Sequence, residues 1–368
     1  MNIAIEASNI GSGGGITHLR EVIGFVQPGS LGIKRVEVWA TKEVLNSLPD
    51  RVYLKKNNHS LIEKGIFGRL IWRTFIFPGL ARNYDVLFLP AGNLVVHKCS
   101  ISMSQNLLPF ERSESSRYGL SLMRLRLALI RWSQKRSFRQ AKGVILLSEY
   151  ARDRVCKTIN LPIQKTRVIS HGVHTRFNFA GTRNYNRVNK IVYVSTIDVY
   201  KHQWQVVKAC VLLWDQGFDF NLDLVGGNYP PSLKKLLNVV QKYPQYAGKI
   251  QIIDNLKYEK LPEVYQESDL FVYASTCETF GLTVLEAMAS GLPIACSEKS
   301  SMKEILSGCG LYFDPLDVKS IAGSIQKLLK NEPLRQELGL AAAERAKQFT
   351  WQRSSHETFQ FLSECAVS

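Results

Sequence analysis

The sequence predicts an α/β protein built from two doubly wound, Rossmann-like domains in tandem. Short β-rich runs alternate with helical patterns along the whole chain, which is typical of parallel sheets covered by helices on both faces. A polar, basic stretch without periodicity, residues 174–190, interrupts this alternation near the middle. The chain of 368 residues is also long enough for two domains that each bury their own core.

The β-rich runs fall into two sets on either side of this stretch. The first set is NIAIEA, VEVWAT, DVLFLP, SISMS and GVILLSE, and the second is KIVYVSTI, FNLDLVGG, KIQIID, DLFVYAS, LPIACS and GLYFDP. Helical patterns lie between the runs, as in THLREVIGFV, whose aliphatic residues fall on one face. We therefore predict an N-terminal domain over 1–173, a linker over 174–190 and a C-terminal domain over 191–349. A last helix, 350–368, has apolar residues that need a packing partner.

Composition limits the class of protein. Hydrophobic residues make up 45% of the chain and charged residues 21%, as in a soluble globular protein. No apolar run approaches the roughly 20 residues that a membrane-spanning helix needs, and the N-terminus does not resemble a signal peptide. The seven cysteines form no C-x-x-C pair, which favours free thiols in a reducing compartment. We expect a cytoplasmic protein.

The positive charge is confined to the first half. Residues 1–172 contain 26 Lys and Arg against 11 Asp and Glu, whereas the rest of the chain contains 21 against 20. Part of this charge forms one stripe on a helix predicted over 120–142: Arg124, Arg131, Lys135, Arg139 and Lys142. The stripe fits either a solvated face or contact with an anionic membrane surface. Nucleic acid is the weaker alternative, because no recognised binding motif or interleaved aromatic residues accompany the charge.

The segment ETFGLTVLE, residues 278–286, places two glutamates in an otherwise uncharged, apolar stretch. A helix that is apolar on all sides is buried, so the carboxylate of Glu286 needs partners. Ligand hydroxyls are natural ones, because an ionised carboxylate is only an acceptor. Gly281 would allow close approach of a ligand, and the helix amides suit an anion. Glu278 has an alternative as the second half of a capping box that starts at Ser275.

Three other features fit a phosphate-bearing ligand, although each has a simpler alternative. The loop GSGGG, residues 11–15, joins the first strand to the first helix and would direct amides toward an anion, or it is only a tight turn. Lys201 follows a strand and could neutralise a diphosphate, although by itself it fits an ordinary exposed lysine. Gly226 and Gly227 end another strand, where a plain turn is the alternative.

Together, Lys201, the Gly226-Gly227 turn and the stretch ETFGLTVLEAMASGLP resemble the retaining glycosyltransferases of GT-B fold with the E-x7-E signature, family 4. The resemblance covers essentially the whole chain. It implies two Rossmann-like domains facing across a cleft, with the C-terminal helix crossing back to the N-terminal domain. It also implies transfer of a sugar from a nucleotide diphosphate to a saccharide acceptor with retained configuration. A lipid-linked acceptor in bacterial surface polysaccharide synthesis, of the O-antigen, lipopolysaccharide or capsule type, would suit the basic half.

The resemblance also assigns site residues. Glu286 would hold the donor ribose, Glu278 would contact hydroxyls of the transferred sugar, and Lys201 would balance the diphosphate. The remaining donor-binding positions are Phe280, Gly281, Leu282, Thr283, Ser195, Gly226, Gly14 and Gly15. We expect no metal and no other cofactor, since the chain contains no D-x-D sequence. A peripheral position on the inner face of the cytoplasmic membrane is expected from the basic stripe.

The chain departs from the family pattern at two places. Ser195 and Thr196 stand where members commonly have Gly-Arg, so one positive charge near the diphosphate is missing. In the loop after SISMS, where a histidine is frequent, Gln105 or Asn106 takes its place. The missing arginine keeps a non-catalytic, glycosyltransferase-like scaffold subunit open as an alternative. A GT-B sugar-nucleotide epimerase is a further alternative, although the E-x7-E segment favours transfer.

Overall fold

The computed structural model describes residues 1–11, 13–178, 181, 183–254 and 256–367, apart from the side chain of Ser30. Ser12 of the GSGGG loop, and Phe179, Ala180 and Thr182 of the predicted linker, lie outside the described residues. The chain divides into two compact units. Unit 1 comprises Met1–Ser115, Leu120–Gly172 and the chain from Thr350 on, and unit 2 comprises Ser116–Gly119 and Val173–Phe349.

Unit 1 contains a sheet in which every pair of neighbouring strands is parallel. Its seven strands are Asn2–Glu6 (β1), Arg35–Trp39 (β2), Leu54–Asn57 (β3), Val86–Leu89 (β4), Ser100–Met103 (β5), Gly143–Leu146 (β6) and Thr166–Val168 (β7). Their order across the sheet is β3-β2-β1-β4-β5-β6-β7. The order reverses beside β1, as in a doubly wound Rossmann-like fold.

Helices accompany these strands in the described part of unit 1. They are Gly14–Gly24 (α1), Lys42–Ser47 (α2), Ser60–Glu63 (α3), Gly65–Ile71 (α4), Phe77–Ala81 (α5), Arg112–Ser116 (α6), Leu122–Gln140 (α7) and Glu149–Ile159 (α8). A single π-helical turn, Trp72–Ile76, joins α4 to α5. None of the helices in the described ranges of the whole chain combines the length and the apolar composition needed to cross a bilayer.

Unit 2 repeats the architecture with six parallel strands. These are Lys190–Val194 (β8), Asn221–Val225 (β9), Ile250–Ile253 (β10), Leu270–Tyr273 (β11), Ile294–Ser297 (β12) and Leu311–Phe313 (β13), in the order β10-β9-β8-β11-β12-β13. Its helices are Gln203–Trp214 (α9), Pro230–Val240 (α10), Leu261–Gln266 (α11), Leu282–Ala289 (α12), Met302–Leu306 (α13), Val318–Lys330 (α14) and Glu332–Ala346 (α15). The central strands β8 and β11 are neighbours, with Leu270 opposite Ile191.

The last helix, Trp351–Val367 (α16), belongs to unit 1, which confirms the predicted return of the chain. Ser355 Oγ donates to the carbonyl of Val22 on α1 (2.7 Å). A Cβ on Gly143 of β6 would lie 2.5 Å from the ring of Phe361, so this glycine makes room for the helix. The apolar residues of the tail, which the sequence predicted to need a packing partner, therefore lie against the sheet and the first helix of unit 1.

The segment predicted as a linker belongs to unit 2 in its described residues. Arg183 donates to the carbonyls of Ser290 (2.8 Å) and Tyr265 (2.8 Å), and Tyr185 donates through its hydroxyl to the carbonyl of Gly291 (2.8 Å). The carbonyl of Tyr185 in turn accepts from the buried guanidinium of Arg335 (2.6 Å). The polar residues of this segment therefore form hydrogen bonds within unit 2. The boundary between the two units falls just before the segment, between Gly172 and Val173.

Candidate active site

The predicted site residues of unit 2 lie at the carboxyl ends of its parallel strands. The loop that follows β8 contains Lys201, and the loop that follows β11 contains Glu278. Two contacts join the loops, because the backbone amide of Thr276 (2.9 Å) and its hydroxyl (3.2 Å) both donate to the carbonyl of Tyr200. Lys201 and Glu278, 77 residues apart in sequence, meet because their strands are neighbours.

Lys201 and Glu278 form a buried ion pair. Lys201 Nζ donates to Glu278 Oε1 and also to the hydroxyl of Tyr273 (2.7 Å). Lys201 is 6% exposed, so the alternative of an ordinary exposed lysine is wrong. Burial opposes the ammonium charge, but the carboxylate of Glu278 outweighs this and raises the pKa of Lys201 above its ordinary value. The ammonium is therefore fully charged at neutral pH.

Two hydroxyls hold Glu278 Oε1 in addition to the lysine. Tyr273 donates to it from 2.8 Å and Ser275 from 2.5 Å. Burial, followed by the charge of Glu278, raises the pKa of Tyr273 well above its ordinary value, so its hydroxyl stays protonated and can donate. One oxygen of Glu278 thus accepts three bonds, and the pair is fixed in position.

The capping-box interpretation of Glu278 is wrong. Helix α12 begins at Leu282 with Gly281 as its N-cap, several residues beyond Ser275. The backbone amide of Glu278 donates to Ser300 Oγ (2.6 Å) instead of to the side chain of Ser275. Ser275 contacts the carboxylate itself, so the two residues stabilise the ion pair and not the start of a helix.

Glu286 lies on α12 and is 1% exposed, as the apolar surroundings in sequence predicted. Tyr258 donates to its Oε1 (2.8 Å) and Tyr265 to its Oε2 (3.1 Å). Burial raises the pKa of Glu286 to about 7, while the two hydroxyls and the nearby Arg176 partly oppose this increase. The carboxylate is therefore poised to ionise near neutral pH, and each of its two oxygens accepts a hydrogen bond from one tyrosine hydroxyl.

Arg176 lies next to this carboxylate, stacked on an aromatic ring. Its guanidinium carbon is 4.3 Å from the ring centre of Tyr258 and 5.4 Å from that of Phe177. Its Nε and Nη2 atoms are buried without a hydrogen-bond partner in the described structure. Because an unsatisfied guanidinium N–H is costly to bury, these donors are available to a polar ligand group beside Glu286.

The start of α12 is shaped for close backbone approach. Gly281 has φ +102°, and a Cβ there would lie 2.6 Å from Met302 Cε. Phe280 is buried against Phe349, with ring centres 5.7 Å apart, and Leu282 opens the helix. Thr283 has a buried hydroxyl without a hydrogen bond of normal geometry. The four predicted donor-binding residues 280–283 therefore form one short turn between the two glutamates.

Ser195 and Gly226 are in direct contact at the ends of β8 and β9. A Cβ on Gly226, whose φ is +135°, would lie 2.5 Å from the carbonyl oxygen of Ser195. Gln203 donates through Nε2 to Ser195 Oγ (2.9 Å) and to the carbonyl of Thr196 (3.0 Å). Where the family has a cation, this chain therefore has a neutral hydroxyl and amide cluster.

Gly226→Ala is expected to lower the free energy of unfolding by roughly 1–3 kcal/mol, because the new Cβ meets backbone in a strained conformation. Gly227→Ala is the matched control, since its Cβ would meet nothing nearer than Asp254 Oδ1 at 4.0 Å. Chemical denaturation of both variants measures the difference. An equal loss in both would contradict the close approach of the two strand ends.

Gly14 and Gly15, in unit 1, form the first turn of α1, with Gly13 (φ +61°) as N-cap. A Cβ on Gly15 would lie 3.5 Å from Gln105 Oε1. Asn106, by contrast, accepts from the backbone amide of Leu108 (3.0 Å) and closes a local turn. Of the two residues predicted to replace the family histidine, Gln105 is therefore the one beside the glycine loop.

Four side chains that contact the predicted glutamates or lie beside them were not expected from the sequence: Tyr258, Tyr265, Tyr273 and Arg176. Tyr258 and Tyr265 lie seven residues apart in the sequence, in the segment that precedes β11. Nothing in the sequence marked Tyr273 or Arg176. In the described residues, no group of three or more His, Cys, Asp or Glu side chains is arranged to hold a metal ion.

Known proteins resemble this chain in sequence and in structure. Residues 175–345 match the family model described as glycosyl transferases group 1. An O-antigen chain mannosyltransferase B of Escherichia coli is 36% identical over 111 residues, 30% of this chain and 29% of that protein. The O-antigen chain mannosyltransferase RfbU of Salmonella typhimurium is 26% identical over 200 residues, 54% of each chain. The chain thus spans between about a third and a little over half of these relatives.

Solved structures match over the whole chain. A sucrose-phosphate synthase from Thermosynechococcus elongatus aligns with a TM-score of 0.78 at 18% identity, covering 100% of both chains. Anabaena HepE, solved with UDP and glucose, aligns with a TM-score of 0.75 at 16% identity, covering 99% of this chain and 100% of that one. At such identities the likeness concerns the fold, and it confirms the GT-B class predicted from the sequence.

Proposed function

Because residues 175–345 match the model of glycosyl transferases group 1, we propose that the protein transfers a sugar from a nucleotide diphosphate donor to a saccharide acceptor. The observation that supports this most strongly is the arrangement around α12. A charged lysine is paired with Glu278 before the helix, and a buried carboxylate on the helix, Glu286, is bonded only to hydroxyls among its described partners.

Each part of this arrangement has a proposed task. The Glu286 carboxylate accepts hydrogen bonds from the ribose hydroxyls, and Arg176 offers its two unsatisfied donors beside it. Glu278 contacts hydroxyls of the transferred sugar through the oxygen that Lys201, Tyr273 and Ser275 leave unused. The turn 280–283 offers backbone amides and the Thr283 hydroxyl to the sugar and the diphosphate.

Lys201 supplies the positive charge that stabilises the leaving diphosphate. An ammonium has three donors, and Glu278 and Tyr273 use two of them. The third is directed at the donor in this proposal. Ser195 and Gly226 border the diphosphate, and Gly14 and Gly15 offer amides from the N-terminal domain. Transfer with retention then requires positioning and charge stabilisation, since the donor phosphate itself accepts the acceptor proton.

We extend the proposal to a metal-independent reaction. The lysine and the helix amides take the place of a cation at the diphosphate, and the sequence has no D-x-D pair to hold one. Turnover that is unchanged by a chelator, and unaffected by added divalent cations, is the expected result. Loss of turnover with the chelator and its recovery with one cation would contradict this part.

The acceptor we propose is a lipid-linked saccharide in bacterial surface polysaccharide synthesis. The similarity to O-antigen mannosyltransferases supports this assignment, and so does the excess of positive charge in residues 1–172. Such an acceptor lies at the cytoplasmic membrane, so we place the protein in the cytoplasm with its N-terminal domain on the anionic inner surface.

A thermal-shift screen of nucleotide diphosphate sugars tests the donor proposal. A donor at 100 times its Kd stabilises the folded protein by about 2.7 kcal/mol, so one class of nucleotide is expected to raise the melting temperature clearly. The donors that bind are then assayed for hydrolysis and for transfer to saccharide acceptors.

One observation favours a second candidate, a non-catalytic scaffold subunit. Thr196 stands where the family commonly has arginine, and the neighbouring Ser195 is bonded to a neutral glutamine. The same screen separates the two. Binding without hydrolysis or transfer would favour the scaffold, and binding of no nucleotide sugar at all would contradict the proposed function.

A further inference from the structure

Helix α7 has an apolar stripe on the face opposite its core contacts. Its buried residues are Leu127, Gln134, Ser137 and Phe138. On the other side, residues spaced by 3, 4 and 3 positions are exposed: Leu122 86%, Leu125 58%, Leu129 60% and Trp132 62%. Residues at these spacings share one helix face. The helix therefore packs one face against the protein and exposes an apolar stripe on the opposite face.

A second exposed apolar surface lies on α4 and the π-helical turn. Its members are Ile66, Phe67, Leu70, Ile71 and Phe75, with Phe67 82% and Phe75 77% exposed. The other side of the segment is anchored, since Trp72 and the following Phe77 are fully buried in a core cluster of unit 1. Five large apolar side chains are thus held in solvent by a rigid base. We call these five residues and the four of the α7 stripe the apolar surface.

Both parts of the apolar surface flank one loop of unit 1, residues 91–93. From the π-helical turn, Arg73 Nη1 donates to Asn93 Oδ1 (2.7 Å). From α7, Ser137 Oγ donates to the carbonyl of Asn93 (2.8 Å), and Gln134 Nε2 to that of Ala91 (3.4 Å). The two segments are therefore anchored to the same loop of unit 1.

The two sequence segments that contain the apolar surface are basic. Residues 64–84 contain four basic and no acidic residues, and residues 115–148 contain eight basic and no acidic residues. Docking of a second copy through this surface would bring like charges together in an interface that contains no acid from these segments, which is unfavourable. An anionic lipid surface complements both properties, because its headgroups attract the basic residues and its acyl chains receive the apolar ones.

We propose that the apolar surface inserts into the acyl region of an anionic bilayer, with Phe67, Phe75 and Trp132 as its deepest side chains. This deepens the proposed position of the N-terminal domain at the membrane, from electrostatic contact of the basic stripe to insertion by two helical segments. It involves unit 1 only, so it holds whichever sugar is transferred. Salt screens the attraction of the basic residues but not the burial of the apolar ones.

Trp132 provides a direct probe, because it is the one exposed tryptophan among the six, all of which are described. The full chain is mixed with vesicles of phosphatidylglycerol and phosphatidylethanolamine, and with vesicles of phosphatidylcholine alone. A blue shift of its emission, with quenching by lipids brominated in the acyl chain, is expected with the anionic vesicles. Trp132→Phe should remove the signal while vesicle flotation continues.

The double variant Phe67→Ser, Phe75→Ser is expected to reduce partitioning onto anionic vesicles by about tenfold or more, because two aromatic side chains no longer enter the bilayer. A matched control is Val52→Ser, Ile163→Ser, which removes two exposed aliphatic side chains of unit 1 outside the apolar surface. The control should partition like the unchanged protein. Flotation at low salt and at about 1 M salt separates insertion from electrostatic adsorption.

Three outcomes would overturn the inference. Flotation that vanishes fully at high salt without quenching would mean adsorption alone. Equal loss of binding in the double variant and its control would mean that the site lies elsewhere. A dimer in light scattering that Phe67→Ser, Phe75→Ser converts to a monomer would identify a second copy as the occupant. Donor binding in the thermal-shift screen is measured on the same variants and should be unchanged, which separates this inference from the proposed function.

Discussion

Lys201→Met is expected to lower the turnover number for sugar transfer by about 10²–10³-fold, with a smaller effect on donor affinity. Removing one preorganised charge that stabilises a developing anion typically costs this much. Lys201 is buried and charged, and it is held by Glu278 and by the hydroxyl of Tyr273. Its position is therefore fixed before the donor arrives, so no reorganisation is needed as charge develops on the diphosphate.

The variant also leaves Glu278 buried without its cation, so stability has to be measured beside turnover. Lys201→Arg retains the charge but not the compact ammonium geometry, and we expect it to fold and to recover only part of the rate. Lys190→Met is the matched control, because Lys190 opens β8, at the end of the strand away from the loop that contains Lys201, and is paired with Asp223 and Glu267. Equal turnover of Lys201→Met and Lys190→Met would refute the assignment.

Glu286→Gln is expected to weaken binding of the nucleotide sugar by about 1–3 kcal/mol, roughly a 5- to 150-fold increase in Kd. The amide has nearly the shape of the carboxylate but lacks its charge and replaces one acceptor by a donor. The hydroxyls of Tyr258 and Tyr265 then compete for a single acceptor oxygen with the ribose. Calorimetric titration measures the change, and an unaltered Kd would refute the ribose assignment.

The raised pKa of Glu286 predicts a pH dependence of the same binding. Its pKa in the free protein is about 7, so the ionised acceptor becomes populated as the pH rises through neutrality. Donor affinity should increase by up to about tenfold between about pH 6 and pH 8. Burial lowers the pKa of His202 to about 3, so this histidine does not titrate in that range. The Gln variant should bind equally at both pH values.

The raised pKa of Glu286 also makes the free energy of unfolding depend on pH. This free energy falls as the pH rises, whereas donor affinity increases. Because the folded state binds this proton more tightly than the unfolded chain, the contribution of Glu286 to stability is complete below its ordinary pKa. It is lost as the pH rises through about 7. We therefore compare Glu286→Gln with the unchanged protein in the absence of donor. From acidic to mildly alkaline pH, the variant should become increasingly more stable than the unchanged protein. Denaturation curves at several pH values measure this difference.

Strand prediction succeeded where burial on both faces requires a continuous apolar run. All eleven predicted runs contain a strand, from Asn2–Glu6 to Leu311–Phe313. The two strands that the sequence did not indicate, Leu54–Asn57 and Thr166–Val168, are the outer strands of the first sheet. Short outer strands are partly exposed, so their residues are polar and lack the apolar signal.

The sequence predicted the two glutamates of the site, but not the side chains that form hydrogen bonds with them. The burial of Glu286 followed from a helix with no polar face, which is a local property. Its bonds to Tyr258 and Tyr265 depend on how α11 and the preceding turn pack on α12, 28 and 21 residues away. Likewise, Lys201 resembled an exposed lysine because its partner Glu278 lies in the loop that follows a neighbouring strand. Strand order is a tertiary property that local periodicity does not determine.

The return of the last helix to unit 1 has a consequence for synthesis of the chain. Unit 2 is complete once Phe349 has been made, because it is nearly continuous in sequence. Unit 1 still lacks the helix that covers Val22, Gly143 and Cys99. Domains generally fold from the N-terminus as the ribosome proceeds. Here the N-terminal domain can close its core only after the residues of unit 2 have been synthesised, because α16 follows them in the sequence.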